Sequence, residues 1–145
     1  MPILEYRLTA GRHSDDQIGE LLLASARLYA EVLKSPLDRV RVTATLHQPQ
    51  HAVVAGRLVS DGAPSAPFFH FLVLEGRPVE ECQALITGFT DLVVSTLGVD
   101  RSLVRGGCWP IPPQLWGIAG TPASVMRAQE VAARAAAAAA AAPGG

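Results

Sequence analysis

Hydrophobic residues along this chain change their spacing several times, and each change marks an element. Residues 3–8, ILEYRL, mix apolar and polar positions as a strand does, and Ile18, Leu21, Leu22, Ser25, Leu28, Tyr29 and Val32 then recur at helical spacing with only Ser25 polar. Ser14 followed by Gln17 has the spacing of a capping box ahead of that helix, and Ser35-Pro36 stops it because proline cannot continue a helix. Residues 39–45, RVRVTAT, return to alternation and predict a second strand; the apolar pair Val53-Val54 beyond it suggests a hairpin.

The same succession then repeats. SDGAPSAP, residues 60–67, has linker composition, and FFHFLVL behind it reads as a strand. Val79, Cys82, Leu85, Ile86, Phe89, Leu92 and Val93 form a second helical stripe, opened by Pro78 and closed by Gly98. SLVR predicts a fourth strand, whereas CWPIPPQLWGIAG is too rich in proline for a central strand and is expected to fold over an edge or a neighbouring subunit. Pro2 to Pro67 and Arg12 to Arg77 are offsets of 65, while Val40-Arg41 to Val104-Arg105 and Ala55-Gly56 to Ala119-Gly120 are offsets of 64. One deletion reconciles them. The chain thus reads as one domain, residues 1–127, made of β-α-β units 2–59 and 67–127 joined by linker 60–66. The expected fold is an α/β (α+β) layer: a four-stranded mixed sheet with two helices on one face. Residues 128–145 are nearly all alanine, an expected frayed helix or disordered tail with no catalytic part.

Composition narrows the functional classes. The 145 residues carry 12 Lys plus Arg against 13 Asp plus Glu, a formal charge of −1, so any cationic site is local and neither nucleic acid nor a membrane is an expected partner. Apolar runs fall short of a membrane span, and no basic region followed by an apolar stretch opens the chain. Cys82 and Cys108 form no C-x-x-C, in keeping with a reducing, cytoplasmic setting. His47 and His51 have i, i+4 spacing, but Pro49 between them opposes a helix, and no metal or other cofactor is expected. His13 reads as exposed and His70 as structural.

Pro2 poses the chemical question. Removal of the initiator methionine would leave a secondary amine there, and apolar surroundings or nearby cations lower the pKa of an amine by disfavouring its charged form. Neutral, it takes a proton from carbon next to a carbonyl; charged, it acts as an acid. A proline that merely opens a strand is the competing reading. Arg77 is either a bidentate carboxylate anchor or a helix-start arginine paired with Glu80 or Glu81. Arg41, flanked by Val40 and Val42, is either a site residue or the solvated side of a strand, and Asp38 is either a carboxylate near the amine or a turn residue.

Pro2, ILEYRL, Gly11-Arg12, the helix, Pro36-Leu37 and Val40-Arg41-Val42 together resemble the 4-oxalocrotonate tautomerase family. The second half, with PFFHFLVLEGR, LVR and WGIAG, is similar too. That family's short β-α-β subunits use an amino-terminal proline as base without a cofactor. A fused pair looks like the malonate semialdehyde decarboxylase and cis-3-chloroacrylic acid dehalogenase branches of the tautomerase superfamily, with a fold also like macrophage migration inhibitory factor. The resemblance implies a homotrimer, one site per chain and a small anionic substrate bearing a carbonyl or enol. It assigns Pro2 as the proton carrier, Arg77 as carboxylate anchor, Arg12 as its weaker repeat mate, Arg41 and Arg105 as the family's second arginine, and Trp116 as the apolar wall over the proline. It also matches Asp38 to the decarboxylase branch. The pattern departs where those branches carry an additional arginine, since Leu74 and Glu75 stand there, and where the dehalogenases carry a glutamate, since Leu115 or Trp116 stands there. The implied activity is keto-enol tautomerisation. A decarboxylase or hydratase of a 3-oxo or unsaturated acid, with Pro2 as general acid, is one alternative, and a non-catalytic trimeric scaffold or binding protein is the other.

Overall fold

Strand β1 (Ile3–Thr9) begins directly behind Pro2 and runs into helix α1 (Asp15–Leu33) in this computed structural model, which describes residues 2–144. Met1 and Gly145, the last residue of the tail, lie outside the described residues. The capping box forms: the Ser14 hydroxyl accepts from the Gln17 amide at 3.1 Å, and the Gln17 side chain accepts from the Ser14 amide at 3.0 Å. Helix α1 ends on Lys34, left-handed at φ 50°, with Pro36 two residues beyond. A 3-10 turn, Leu37–Arg39, leads into strand β2 (Arg41–His47), followed by the short strands β3 (Val53–Val54) and β4 (Arg57–Leu58). The second unit repeats this order with β5 (Phe68–Leu74), α2 (Val79–Leu97), a 3-10 turn Arg101–Leu103, β6 (Arg105–Ile111), β7 (Gly117–Ile118) and β8 (Thr121–Pro122). The short α3 (Ala123–Met126) and the longer α4 (Ala128–Ala141) complete the chain.

The four main strands form one mixed sheet in the order β2-β1-β5-β6. Strands β1 and β2 are parallel, as are β5 and β6, and the repeats meet in one antiparallel seam in which Ile3 pairs with Leu72. The expected mixed sheet with both long helices on one face is what the chain adopts, but two strands sit further along than the alternation suggests. Residues 39–45 were expected as a strand; Leu37–Arg39 is a turn and the strand is 41–47. SLVR is largely the turn Arg101–Leu103, and the proline-containing RGGCWPI is the strand. Its position at the sheet edge explains the difference, because Pro110 there needs no second neighbour for a missing N–H.

Strand alternation divides the sheet. Leu4, Tyr6, Leu8, Phe69, Phe71 and Val73 point into the core, where they meet Leu21, Tyr29, Leu85, Phe89 and Val93 from the helices. The polar position in the first stripe is satisfied by the sheet: Ser25 and Tyr6, both fully buried, share a hydrogen bond of 2.7 Å. Tyr29 reaches across to the seam, donating to the Leu72 carbonyl at 2.5 Å and approaching that of Ile3 at 3.4 Å. Helices α1 and α2 approach closely at Gly88, where an added Cβ would lie 2.5 Å from Leu28. The opposite sheet face carries rows such as Arg41, Ile3, Leu72 and Trp109, and Trp109 is 45% exposed.

Candidate active site

The antiparallel seam decides where the site can be. It places the start of β1 beside the end of β5, so the residue preceding β1 and the Gly76-Arg77 turn following β5 arrive together. Pro2 is buried there, with its carbonyl accepting the Arg41 amide at 3.0 Å. A cavity of about 370 Å³ opens at that point. Leu33, Pro36, Leu72 and Ile118 give it apolar walls, while Lys34, Arg39, Arg77, Arg127 and Arg134 bring five cationic side chains against one lining carboxylate, Glu130. The local balance is therefore strongly positive in a chain whose formal charge is −1.

Arg77 makes the helix-start ion pair that its sequence position suggests, with Glu81, and also lines the cavity. Gly76 takes φ +94°, a conformation that suits glycine, and turns the chain so that Arg77 lines the cavity. The Arg77 side chain is only 13% exposed; its Nη1 donates to Glu81 at 3.0 Å and to the Leu33 carbonyl at 3.2 Å at the C-terminal end of α1. The guanidinium is thus held in place with further donors free for an anion.

The remaining expected residues are not gathered there. Asp38 is exposed on the 3-10 turn and does not line the cavity. Arg41 and Arg105 point from the sheet face opposite the helices, Arg105 donating to the carbonyls of Ser102 and Val104 at 2.7 and 3.0 Å. Trp116 is half-buried outside the cavity, and Ile118 occupies a wall position instead. Arg12 lines a separate hollow with Gly11, Gln48, Gln50 and Ser60, and Nη2 lies 3.4 Å from the Val59 carbonyl. The second repeat's Pro67 is buried and accepts the Arg105 amide at 3.1 Å, the mirror of Pro2 and Arg41, but its nitrogen is a tertiary amide within the chain.

Several cavity residues were not singled out by the sequence pattern. Lys34 closes α1, and Arg39, read from the alternation as the first residue of a strand, lies instead in the turn Leu37–Arg39. The tail, expected as a frayed helix or disordered, forms α4, which lines the cavity with Glu130, Ala133 and Arg134. Arg39 Nη1 donates to both Glu130 oxygens, at 3.0 and 3.3 Å, and Arg134 lies 3.6 Å from the same carboxylate. Burial alone would raise the Glu130 carboxyl, but the Arg39 hydrogen bond and the charges of Arg39, Arg127 and Arg134 hold it below the usual glutamate range. Arg127, Glu130 and Arg134 fall at i, i+3 and i+7, one helix face, which was the available signal.

Among the described residues no group of three or more His, Cys, Asp or Glu is arranged to hold a metal ion, and no helix is long and apolar enough to cross a membrane. His47 bonds to Thr9 at 3.1 Å instead of pairing with His51. Cys82 and Cys108 are free and partly buried.

No family model matches the chain. The 2-hydroxymuconate tautomerase of Comamonas testosteroni is 37% identical over 60 residues, which is 41% of this chain and 95% of that protein. A native fused 4-OT superimposes with a TM-score of 0.80 at 29% identity, covering 86% of this chain and 98% of its own. A wild-type fused 4-OT solved as a symmetric trimer gives 0.77 at 26% identity, with the same coverage of both chains.

Proposed function

Because the chain belongs to the tautomerase superfamily as a fused pair of β-α-β repeats, we propose that it is a tautomerase in which the amine of Pro2, freed by removal of Met1, moves a proton on a small carboxylate bearing a carbonyl or enol. The observation that carries this reading is the placement of Pro2 in a cavity with apolar walls and five cations. Both features act in one direction. Poor hydration and neighbouring positive charge each disfavour protonated amine, so a larger share is neutral near pH 7 and competent as a base.

In the proposed reaction Arg77 binds the substrate carboxylate, using donors not engaged by Glu81 and the Leu33 carbonyl. The neutral nitrogen of Pro2 takes the hydroxyl proton of an enol, the electron pair collapses to the carbonyl, and the protonated amine returns a proton to carbon. Cations around the cavity stabilise negative charge on the oxygen while it lasts. The shuttle needs only the amine and the charges. Asp38, on which a decarboxylase or hydratase alternative would draw, lies away from the cavity, and this favours tautomerisation.

The trimer follows from the same reading. The sheet face opposite the helices leaves Trp109 45% exposed, with Ile3, Phe68 and Leu72 beside it partly covered. Packing that face against other copies would bury it, as expected for a relative of the trimeric fused 4-OT. Arg41 and Arg105, on that face, would then serve a site only in an adjacent subunit.

The test combines intact mass with turnover. Mature protein should lack Met1, should convert 2-hydroxymuconate or a related enol to its keto form, and should lose about 10²-fold or more in kcat in Pro2→Ala. Retention of Met1, or full activity in Pro2→Ala, would overturn the reading.

A further inference from the structure

Where the first repeat continues into its linker, the second continues into a helix, and that helix returns over the Pro2 cavity. Its contact point is the Gly76-Arg77 turn: a Cβ built on Gly76 would lie 3.9 Å from the Arg134 Cβ. Two arginines therefore meet at one end of the cavity. Burial chiefly, and then the charge of Arg77, lower the pKa of Arg134 below the ordinary arginine value.

The two guanidinia pair with different acids, although the Glu81 charge also reaches Arg134. Arg77 holds Glu81 at 3.0 Å, whereas Arg134 lies 3.6 Å from Glu130, whose closer partner is Arg39 at 3.0 Å. Arg134 Nη1 is buried with no hydrogen-bond partner. A buried donor of a charged group left without an acceptor is costly, and it is satisfied when an anion enters. Arg134 itself lines the cavity that Pro2 lines, so an anion bound there is within reach of its guanidinium.

We propose that Arg134 is a substrate-binding residue of this site, its guanidinium donating to a carboxylate seated beside Arg77, so that the alanine-rich tail is part of the binding machinery. The inference rests on the functional reading above for the identity of the ligand as a small carboxylate. Glu130, bonded to Arg39 and 3.6 Å from Arg134 Nη2, holds α4 in place and competes with the incoming carboxylate for that guanidinium.

Adipate, a small dicarboxylate with no carbonyl or enol to react, separates binding from Pro2 chemistry. Calorimetric titration of the full chain with adipate should show about 10-fold or greater weakening in Arg134→Ala, similar weakening in Arg77→Ala, partial recovery in Arg134→Lys, and no change in the distant control Arg101→Ala. Removal of residues 128–145 should reproduce the Arg134→Ala loss. Glu130→Gln should bind adipate as well as or better than wild type, because the competing carboxylate is gone. In turnover, Arg134→Ala should raise KM with kcat within a few-fold. The proposal falls if wild type takes up no adipate at millimolar concentration, if Arg134→Ala binds it unchanged, or if Glu130→Gln weakens binding as much as Arg134→Ala, which would mean the helix matters only through its docking. Full turnover in Pro2→Ala with these binding results intact would instead remove the catalytic reading and leave Arg134 in place.

Discussion

Substituting Gly106 by alanine tests the packing that fixes the edge of the sheet. Gly106 on β6 is paired with Phe69 on β5, and the Phe69 ring lies directly over it. A Cβ at 106 would fall 2.1, 2.2 and 2.4 Å from the Phe69 Cζ, Cε2 and Cε1 atoms. Carbon atoms in contact prefer about 3.5 Å or more, so the ring must withdraw by roughly 1.4 Å. It has nowhere to go. Phe69 is fully buried, with Tyr6 and Phe89 packed edge-on at centroid distances of 5.9 and 5.8 Å and Phe71 stacked at 6.5 Å. The alternative, splaying β6 away, breaks the parallel ladder to β5. Overpacking of this kind costs about 1–3 kcal/mol. Equilibrium urea unfolding at one fixed protein concentration, followed by tryptophan fluorescence and circular dichroism, measures it, the fixed concentration holding any association constant. Phe69→Leu, which withdraws the ring, should cost about 1–2 kcal/mol alone. The double variant should be less destabilised than the sum by about 1 kcal/mol or more, the signature of two groups in one space. A Gly106→Ala protein within about 0.5 kcal/mol of wild type, or strict additivity in the double variant, would refute the packing argument.

Three further outcomes are expected. Tyr29→Phe removes the donor to the Leu72 carbonyl at the seam beside Pro2 and should lower stability by about 1–2 kcal/mol, read as a shifted urea midpoint with unchanged slope. The Glu130 carboxyl is held below its ordinary value in the folded chain, so its contribution to docking α4 is present above the unfolded-state pKa and lost as pH falls through the lower folded value. Hydrogen exchange in residues 128–141 should accordingly accelerate on acidification, and Glu130→Gln should flatten that pH dependence once corrected for intrinsic exchange. The Cys108 thiol is pushed up to about 12 by burial and by its neighbour Cys82, so it should react with iodoacetamide at pH 8 about 10²-fold or more slowly than an unhindered cysteine peptide; equal rates would contradict this.

The duplicated architecture was legible because its markers are local. Proline and glycine positions, the two hydrophobic stripes and the Gly-Arg turns recur at offsets of 65 and 64, and His13 is the extra residue: Arg12 matches Arg77 at one offset and Ser14 matches Pro78 at the other. The edge strand was harder to read, because the penalty for proline depends on whether a neighbour lies on both sides, which composition does not state. The cavity was half legible. Pro2 and Arg77 follow from the element order, since an antiparallel seam brings the start of one repeat to the turn of the other. Asp38, Arg41, Arg105 and Trp116 hold the right places in that order, yet order alone does not say which face of a strand or turn meets the cavity. Alanine composition hid the tail's contribution, because a helix without an apolar stripe announces no docking surface; the spacing of Arg127, Glu130 and Arg134 carried the information instead.

The single antiparallel junction gives the two halves unequal obligations. The turn arginine of the second half meets the beginning of the first, whereas Arg12 lines a separate hollow and Pro67 is a tertiary amide within the chain. Under the proposed reaction Gly11-Arg12 answers only to the demands of shape and solubility, while Gly76-Arg77 answers to reactivity as well. Twin segments of near-identical form can in this way drift at different speeds, and the quieter one is the natural place to graft an insertion or a label without disturbing turnover.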